Sequence, residues 1–265
     1  IASGVIRNAY YVAPGTGDNA NTGAIDSPLG TLAEGYARCV AGKNEAVLLV
    51  SDGTSSSTAR VDAAFTWSKN ATHLIGLSSG VAVSNRSRIA PTSTTTAFAN
   101  FFTVSGNGCL LANVQWYHGF ATGTTAAIAM TVSGGRNKFV GCHLAGMGDA
   151  ESAADTGSRS LLLTGNTGEN EFVECTIGID TIGRGVANAS VGFTVNAARN
   201  IFTRCKFPML ATQNTVLFLT APASGLDRWA FFDNCKFLNC ITAASGGTAI
   251  TGLATLAGSA GMLVL

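Results

Sequence analysis

Apolar residues recur along this chain in short bursts separated by turns containing Gly, Ser and Asn, and one pattern returns four times. It reads Asn137-Lys138-Phe139-Val140-Gly141-Cys142-His143-Leu144, then Asn170-Glu171-Phe172-Val173-Glu174-Cys175-Thr176-Ile177. The third and fourth copies are Asn200-Ile201-Phe202-Thr203-Arg204-Cys205-Lys206-Phe207 and Ala230-Phe231-Phe232-Asp233-Asn234-Cys235-Lys236-Phe237. The four cysteines are 33, 30 and 30 residues apart, and Phe, Cys and a last apolar residue sit at i, i+3 and i+5. A strand alternates strictly, so an odd step between two inward residues requires a bend between Phe and Cys. An apolar strand precedes each copy: Met130-Thr131-Val132, Leu161-Leu162-Leu163, Val191-Gly192-Phe193-Thr194-Val195 and Val216-Leu217-Phe218-Leu219. Weaker copies extend the series, Phe102-Thr103-Val104 with Leu111-Ala112-Asn113-Val114-Gln115-Trp116 on one side and Ala249-Ile250-Thr251 with Met262-Leu263-Val264-Leu265 on the other.

A period near thirty residues is too short for a propeller blade, which needs about 40–45. No helical period lies between the strands. The expected architecture is all-β: a right-handed, single-stranded parallel β-helix in which each repeat is one coil and stability comes from stacking on neighbours. Equivalent cysteines then form an interior ladder beside a phenylalanine stack, too far apart and too parallel for disulfides.

The first 45 residues differ. Thr31-Leu32-Ala33-Glu34 is a capping box, and Leu32, Tyr36 and Val40 mark one face of a short helix ending near Gly42. An open coil end must be covered, so residues 1–45 are expected to form an N-terminal segment with a capping helix. Residues 46–265 are expected to form about seven coils, the last reading as incomplete. Asp18-Asn19-Ala20-Asn21-Thr22-Gly23 suggests a calcium loop, but only Asp18 and Thr22 offer oxygens at suitable positions; a plain turn is expected.

Composition sharpens this picture. Of 265 residues, 12% are charged, the formal net charge is +1, and 32 are Gly. Near-neutrality without a basic patch argues against nucleic-acid binding. No apolar run is long enough to span a membrane, and no signal peptide is visible at the start. Seven cysteines without a C-x-x-C pair, and three scattered histidines, predict no metal site and no cofactor. Sequons at Asn70, Asn85 and Asn188 carry no meaning without secretion.

Tyr11-Val12-Ala13-Pro14, Gly17-Asp18, Gly23, Ser27-Pro28 and Thr31-Leu32 resemble the opening of many pectate-lyase-like β-helix proteins. His73-Leu74-Ile75-Gly76-Leu77, Arg88-Ile89-Ala90-Pro91 and Ser160-Leu161-Leu162-Leu163 resemble a group of tailed-bacteriophage virion structural proteins. So do Cys175-Thr176-Ile177-Gly178 with Asp180-Thr181, and Asp227-Arg228-Trp229. The resemblance implies a non-enzymatic head decoration, spike or fibre component on the particle surface. Its partners would be capsid protein or copies of itself, in a homo-oligomer such as a trimer. The alternative is a tailspike-type polysaccharide lyase, glycoside hydrolase or glycan-binding module that meets a host surface glycan.

Were the chain an enzyme, the acids to consider are Asp149, Glu151 and Asp155, in a Gly/Ala/Ser-rich loop, and Asp180. A glycosidase would need two of them about 5–5.5 or 6.5–9.5 Å apart. Glu169, Glu171 and Glu174 are expected on an outer face, with Arg204 of the next coil opposite Glu174 as an external ion pair. Cys142 and His143 are sequence neighbours on a strand and so point to opposite faces. His73 reads as structural, and Trp116, Tyr117 and His118 as an aromatic group at a coil end.

Overall fold

A computed structural model describes residues 6–78, 83–84, 87–92, 99–119, 126–165, 168–241 and 246–265. Asn85 lies outside them. The chain forms a parallel β-solenoid of about seven turns. Among the described residues, three sheets of nine, seven and eight strands run along it, and the strand-to-strand ladders are parallel. In a representative coil the chain passes from Ile128–Val132 in the second sheet to Lys138–Val140 in the first and His143–Ala145 in the third. A longer loop then leads to Arg159–Thr164, back in the second sheet one coil on.

The odd Phe-to-Cys step has a local backbone cause. The residue before each cysteine adopts left-handed φ: Gly141 at 59°, Glu174 at 54°, Arg204 at 52° and Asn234 at 50°. Asn113, before Val114 in the weaker copy, does so at 55°. One such residue turns the chain between the first and third sheets and restores the inward parity. Only Gly takes this conformation without strain, so side chains here cost about 1–2 kcal/mol each.

Inside, like stacks on like. Phe139, Phe172, Phe202 and Phe232 are spaced 4.5, 4.8 and 4.5 Å apart, with planes within 11° of parallel. All seven cysteines are free thiols. Cys142, Cys175, Cys205 and Cys235 each donate to a backbone carbonyl one coil earlier, on Leu111, Phe139, Phe172 and Phe202 respectively. Burial, reinforced by hydrogen bonds with Cys142 and Cys205, holds the Cys175 thiol far above the usual range, so it stays protonated. The other walls are Phe102-Met130-Leu161-Val191-Leu219 in the second sheet and Ile89-Trp116-Leu144-Ile177 in the third.

At one corner runs an asparagine ladder. Asn170, 2% exposed, accepts from Asn137 N at 3.0 Å and donates through Nδ2 to Gly134 O and Asn200 Oδ1. Asn137 Oδ1 likewise accepts from Cys109 N. The ladder satisfies backbone groups that a tight buried turn would otherwise orphan.

At the N-terminal end, Ala9–Val12 forms the first strand of the first sheet, paired with Ala46–Leu49. Helix α1 spans Leu32–Arg38, with Thr31 Oγ1 accepting from Glu34 N as its cap. Its Gly35 packs so tightly that a Cβ would lie 2.5 Å from Val12 Cγ2. Tyr36 rests on Trp67, with ring centres 4.3 Å apart. The helix is shorter than its sequence pattern predicts: Cys39 ends it, and Val40 is exposed. Lys69 explains the stop, because its Nζ donates to the carbonyls of Tyr36, Ala37 and Cys39 where a further turn would have done so. Asp18 Oδ1 accepts from Ala20 N, as in an Asx turn. In the last coil the second-sheet strand is Ala254–Leu256 rather than Ala249–Thr251.

Candidate functional site

Residues that follow the inward cysteine or valine point outward from the third sheet. Strand register aligns Arg88, Gln115, His143, Thr176, Lys206 and Lys236 in one row across successive coils. The first five line an open groove of about 220 Å³. Tyr117, Pro208 and Leu238 give it apolar walls, and Asp180 joins its lining beside Cys240.

The upper part of the row is locked by a directional hydrogen-bond chain. Arg88 Nε donates to Gln115 Oε1. Gln115 Nε2 donates to His143 Nδ1 at 2.9 Å, and His143 Nε2 donates to Gly178 O at 3.0 Å. A carbonyl can only accept, so the imidazole carries its proton on Nε2 and accepts at Nδ1, where Ser84 N also donates at 3.2 Å. Gly178 is required there: its φ is 115°, and a Cβ would sit 2.4 Å from Pro208 O. Burial pulls the His143 pKa down to about 4; the Gly178 hydrogen bond opposes this and the Arg88 charge adds to it. His143 is therefore neutral at pH 7 with both nitrogens occupied. It positions its neighbours and is not free to act as a base.

Below His143 the row changes character. Thr176 is 1% exposed, yet its Oγ1 has no hydrogen-bond partner among the described residues. Lys206, next in register, is exposed and makes no ion pair among the described residues. The Arg88 guanidinium lies 5.6 Å over the Tyr117 ring, whose hydroxyl donates to Gly148 O. Burial, followed by the Asp180 charge, pushes the Cys240 thiol up.

The acids singled out in the sequence go to different places. Asp149 caps helix α2, Ala150–Ala153, accepting from Glu151 N and Ser152 N at 2.8 and 3.3 Å. Asp155 Oδ1 accepts from Ala126 N and Gly157 N at 2.8 and 2.7 Å. Glu151 is exposed on that same short helix. Of the four, Asp180 alone lines the groove. Glu169 bridges Arg136 and Arg199, Glu171 meets Lys138, and Glu174 meets Arg204.

Other positions are structural. His73 Nδ1 accepts from Leu110 N, and Trp116 and His118 are buried. Cys142 faces inward while His143 faces the groove. Arg184 is buried, with Asn188 Oδ1, Ser190 Oγ and Leu217 O as acceptors. Burial and then the Arg159 charge bring its pKa down to about 9. Asn188 is itself fully buried, which closes that sequon to a modifying enzyme in the folded chain. Arg88, Gln115, Thr176 and Lys206 were not anticipated as site residues. For three of the four coils concerned, the signal lay in the repeat: the position after the cysteine, or after Val114 in the weaker copy.

No family model and no curated sequence matches the chain. Solved structures do. A rhamnogalacturonan lyase aligns with a TM-score of 0.60 at 15% identity, over 95% of this chain and 62% of its own. Pectin methylesterase from Aspergillus niger aligns with a TM-score of 0.55 at 15% identity, over 88% of this chain and 68% of its own. This chain shares its fold with pectin methylesterase and pectate lyase. For pectate lyase Pel9A the TM-score is 0.50 at 15% identity, and the chain spans 94% of itself but 58% of that enzyme. At such identity the likeness concerns the fold, and the chain covers only about three-fifths to two-thirds of those enzymes.

Proposed function

We propose that this chain is a non-enzymatic structural component of a tailed-phage particle, a head decoration, spike or fibre protein whose solenoid acts as a rigid element. The virion assignment is supported by the sequence resemblance at His73–Leu77, Arg88–Pro91 and Asp227–Trp229. The observation that carries the non-catalytic part is the use made of the carboxylates. Asp149 and Asp155 hold backbone N–H groups, and Glu169, Glu171 and Glu174 are bound in cross-coil ion pairs. Asp180 is thus left in the groove without a second acid of the set to form the pair that glycoside hydrolysis uses.

A second reading is favoured by one feature, the groove itself. Apolar walls, an ordered polar row and an unpartnered hydroxyl suit recognition of a saccharide. The solved structures of this fold include proteins described as a rhamnogalacturonan lyase and pectin methylesterases, which fits a carbohydrate-facing groove. The two readings are compatible if the groove binds without cutting. Incubating the chain with host surface polysaccharide separates them: unchanged polymer length supports the structural reading, and depolymerisation abolished by Asp180→Asn overturns it.

A further inference from the structure

We propose that the groove takes an anionic substituent of a saccharide, a carboxylate or a phosphodiester, held by Thr176 Oγ1 and Lys206. This rests on the reading of the groove as a glycan-recognition surface. The assignment follows from which polar groups are already committed. Gln115 and His143 spend their side-chain groups on each other, on Arg88 and on backbone atoms. Thr176 is different: it lines the groove, and its hydroxyl is buried without a partner among the described residues. A buried hydroxyl without a partner is destabilising, and a ligand acceptor would relieve it.

Lys206 is the register neighbour of Thr176, and Lys236 the register neighbour of Lys206. A hydroxyl donor next to an ammonium matches an anionic oxygen pair, since hydrogen bonds to charged acceptors are the stronger class. The surrounding charge agrees. Arg88 and Lys206 are cationic, His143 is neutral, and the acid of the groove is Asp180. Tyr117, Pro208 and Leu238 supply the apolar surface on which the C–H face of a sugar ring rests. A volume of about 220 Å³ fits one substituted ring rather than a long stretch of polymer.

The test is titration calorimetry of the full chain at low salt with four ligands. They are a glucuronate-containing tetrasaccharide, its carboxyl-reduced neutral counterpart, a glycerol-phosphate-linked oligosaccharide and inorganic phosphate. The expected result is at least about tenfold tighter binding of one or both acidic saccharides than of the neutral one. Thr176→Val and Lys206→Met should each remove most of that preference, weakening binding of the acidic saccharides far more than that of the neutral one. Thr176→Val should keep or raise the melting temperature, because it deletes an unsatisfied group. Equal binding of acidic and neutral saccharides would overturn the anionic site while leaving a glycan groove in place. Phosphate binding as tight as saccharide binding would overturn the saccharide part. Failure of every saccharide to bind would overturn the groove reading on which the proposal rests.

Discussion

Arg204 reaches across one coil to Glu174, its Nε and Nη2 lying 3.0 and 2.9 Å from the same carboxylate oxygen. Both residues have left-handed φ and their side chains are about half exposed, so the pair decorates the bend that makes each coil close. Its two roles are separable. A double-mutant cycle with Glu174→Gln and Arg204→Gln should give a coupling below about 1 kcal/mol that shrinks in high salt. Glu174→Gly should leave stability within about 1 kcal/mol of the parent, since Gly relieves the backbone strain as the pair is lost. Glu174→Val should cost more than either. Urea midpoints of the purified variants decide the ranking.

The interior ladder predicts an asymmetry at Cys175, which is 1% exposed between Cys142 and Cys205. Cys175→Ala should cost about 1–2 kcal/mol, for lost contacts and a small cavity. Cys175→Asp should cost at least about 3 kcal/mol or abolish folding, because it buries a carboxylate among thiols and rings. Comparable denaturation midpoints for the two variants would contradict the stack.

The asparagine ladder is more demanding still. Asn170→Ala strips the partner from Asn137 N and removes two donated bonds, and should cost about 2–4 kcal/mol. Asn170→Asp should not rescue it, since a carboxylate cannot donate to Gly134 O and would face Asn200 Oδ1. Thermal unfolding of the two variants side by side is the check.

These ladders explain why so much of the fold was legible in the sequence. A solenoid repeats its interior, so Phe139, Phe172, Phe202 and Phe232 announce both the period and the stack. Even the bend was visible as an odd Phe-to-Cys step. The pairing of Glu174 with Arg204 followed from register alone. The groove was harder to see. The position after each cysteine is a fixed column, but His143, Thr176 and Lys206 share no chemistry, and Arg88 and Gln115 belong to weaker copies. Nor does sequence indicate that Asp149 and Asp155 would turn to backbone N–H groups, or that Arg184 would be buried among neutral acceptors. Such outcomes depend on loop paths that do not repeat. Helix α1 ended early for a similar reason, because the Lys69 that stops it arrives from the following coil.

His143 predicts a pH dependence. Its folded pKa is depressed to about 4, while the unfolded value is near the ordinary 6.5. The unfolded chain therefore binds the extra proton first as pH falls. Stability from this residue is complete above about pH 6.5 and is lost progressively down to about pH 4, by roughly 3 kcal/mol at most. His73, also depressed by burial, acts in the same direction. His143→Gln should flatten the curve across that window without abolishing it. A slope unchanged by the substitution would show that His143 is not the titrating group.

The central claim, that the chain is a built-in part of a particle, is tested most directly by its copy number. Quantitative mass spectrometry of gradient-purified, salt-washed particles should find it in a fixed ratio to the capsid subunit. Its absence from washed particles, with the chain recovered only in the soluble lysate, would contradict the account.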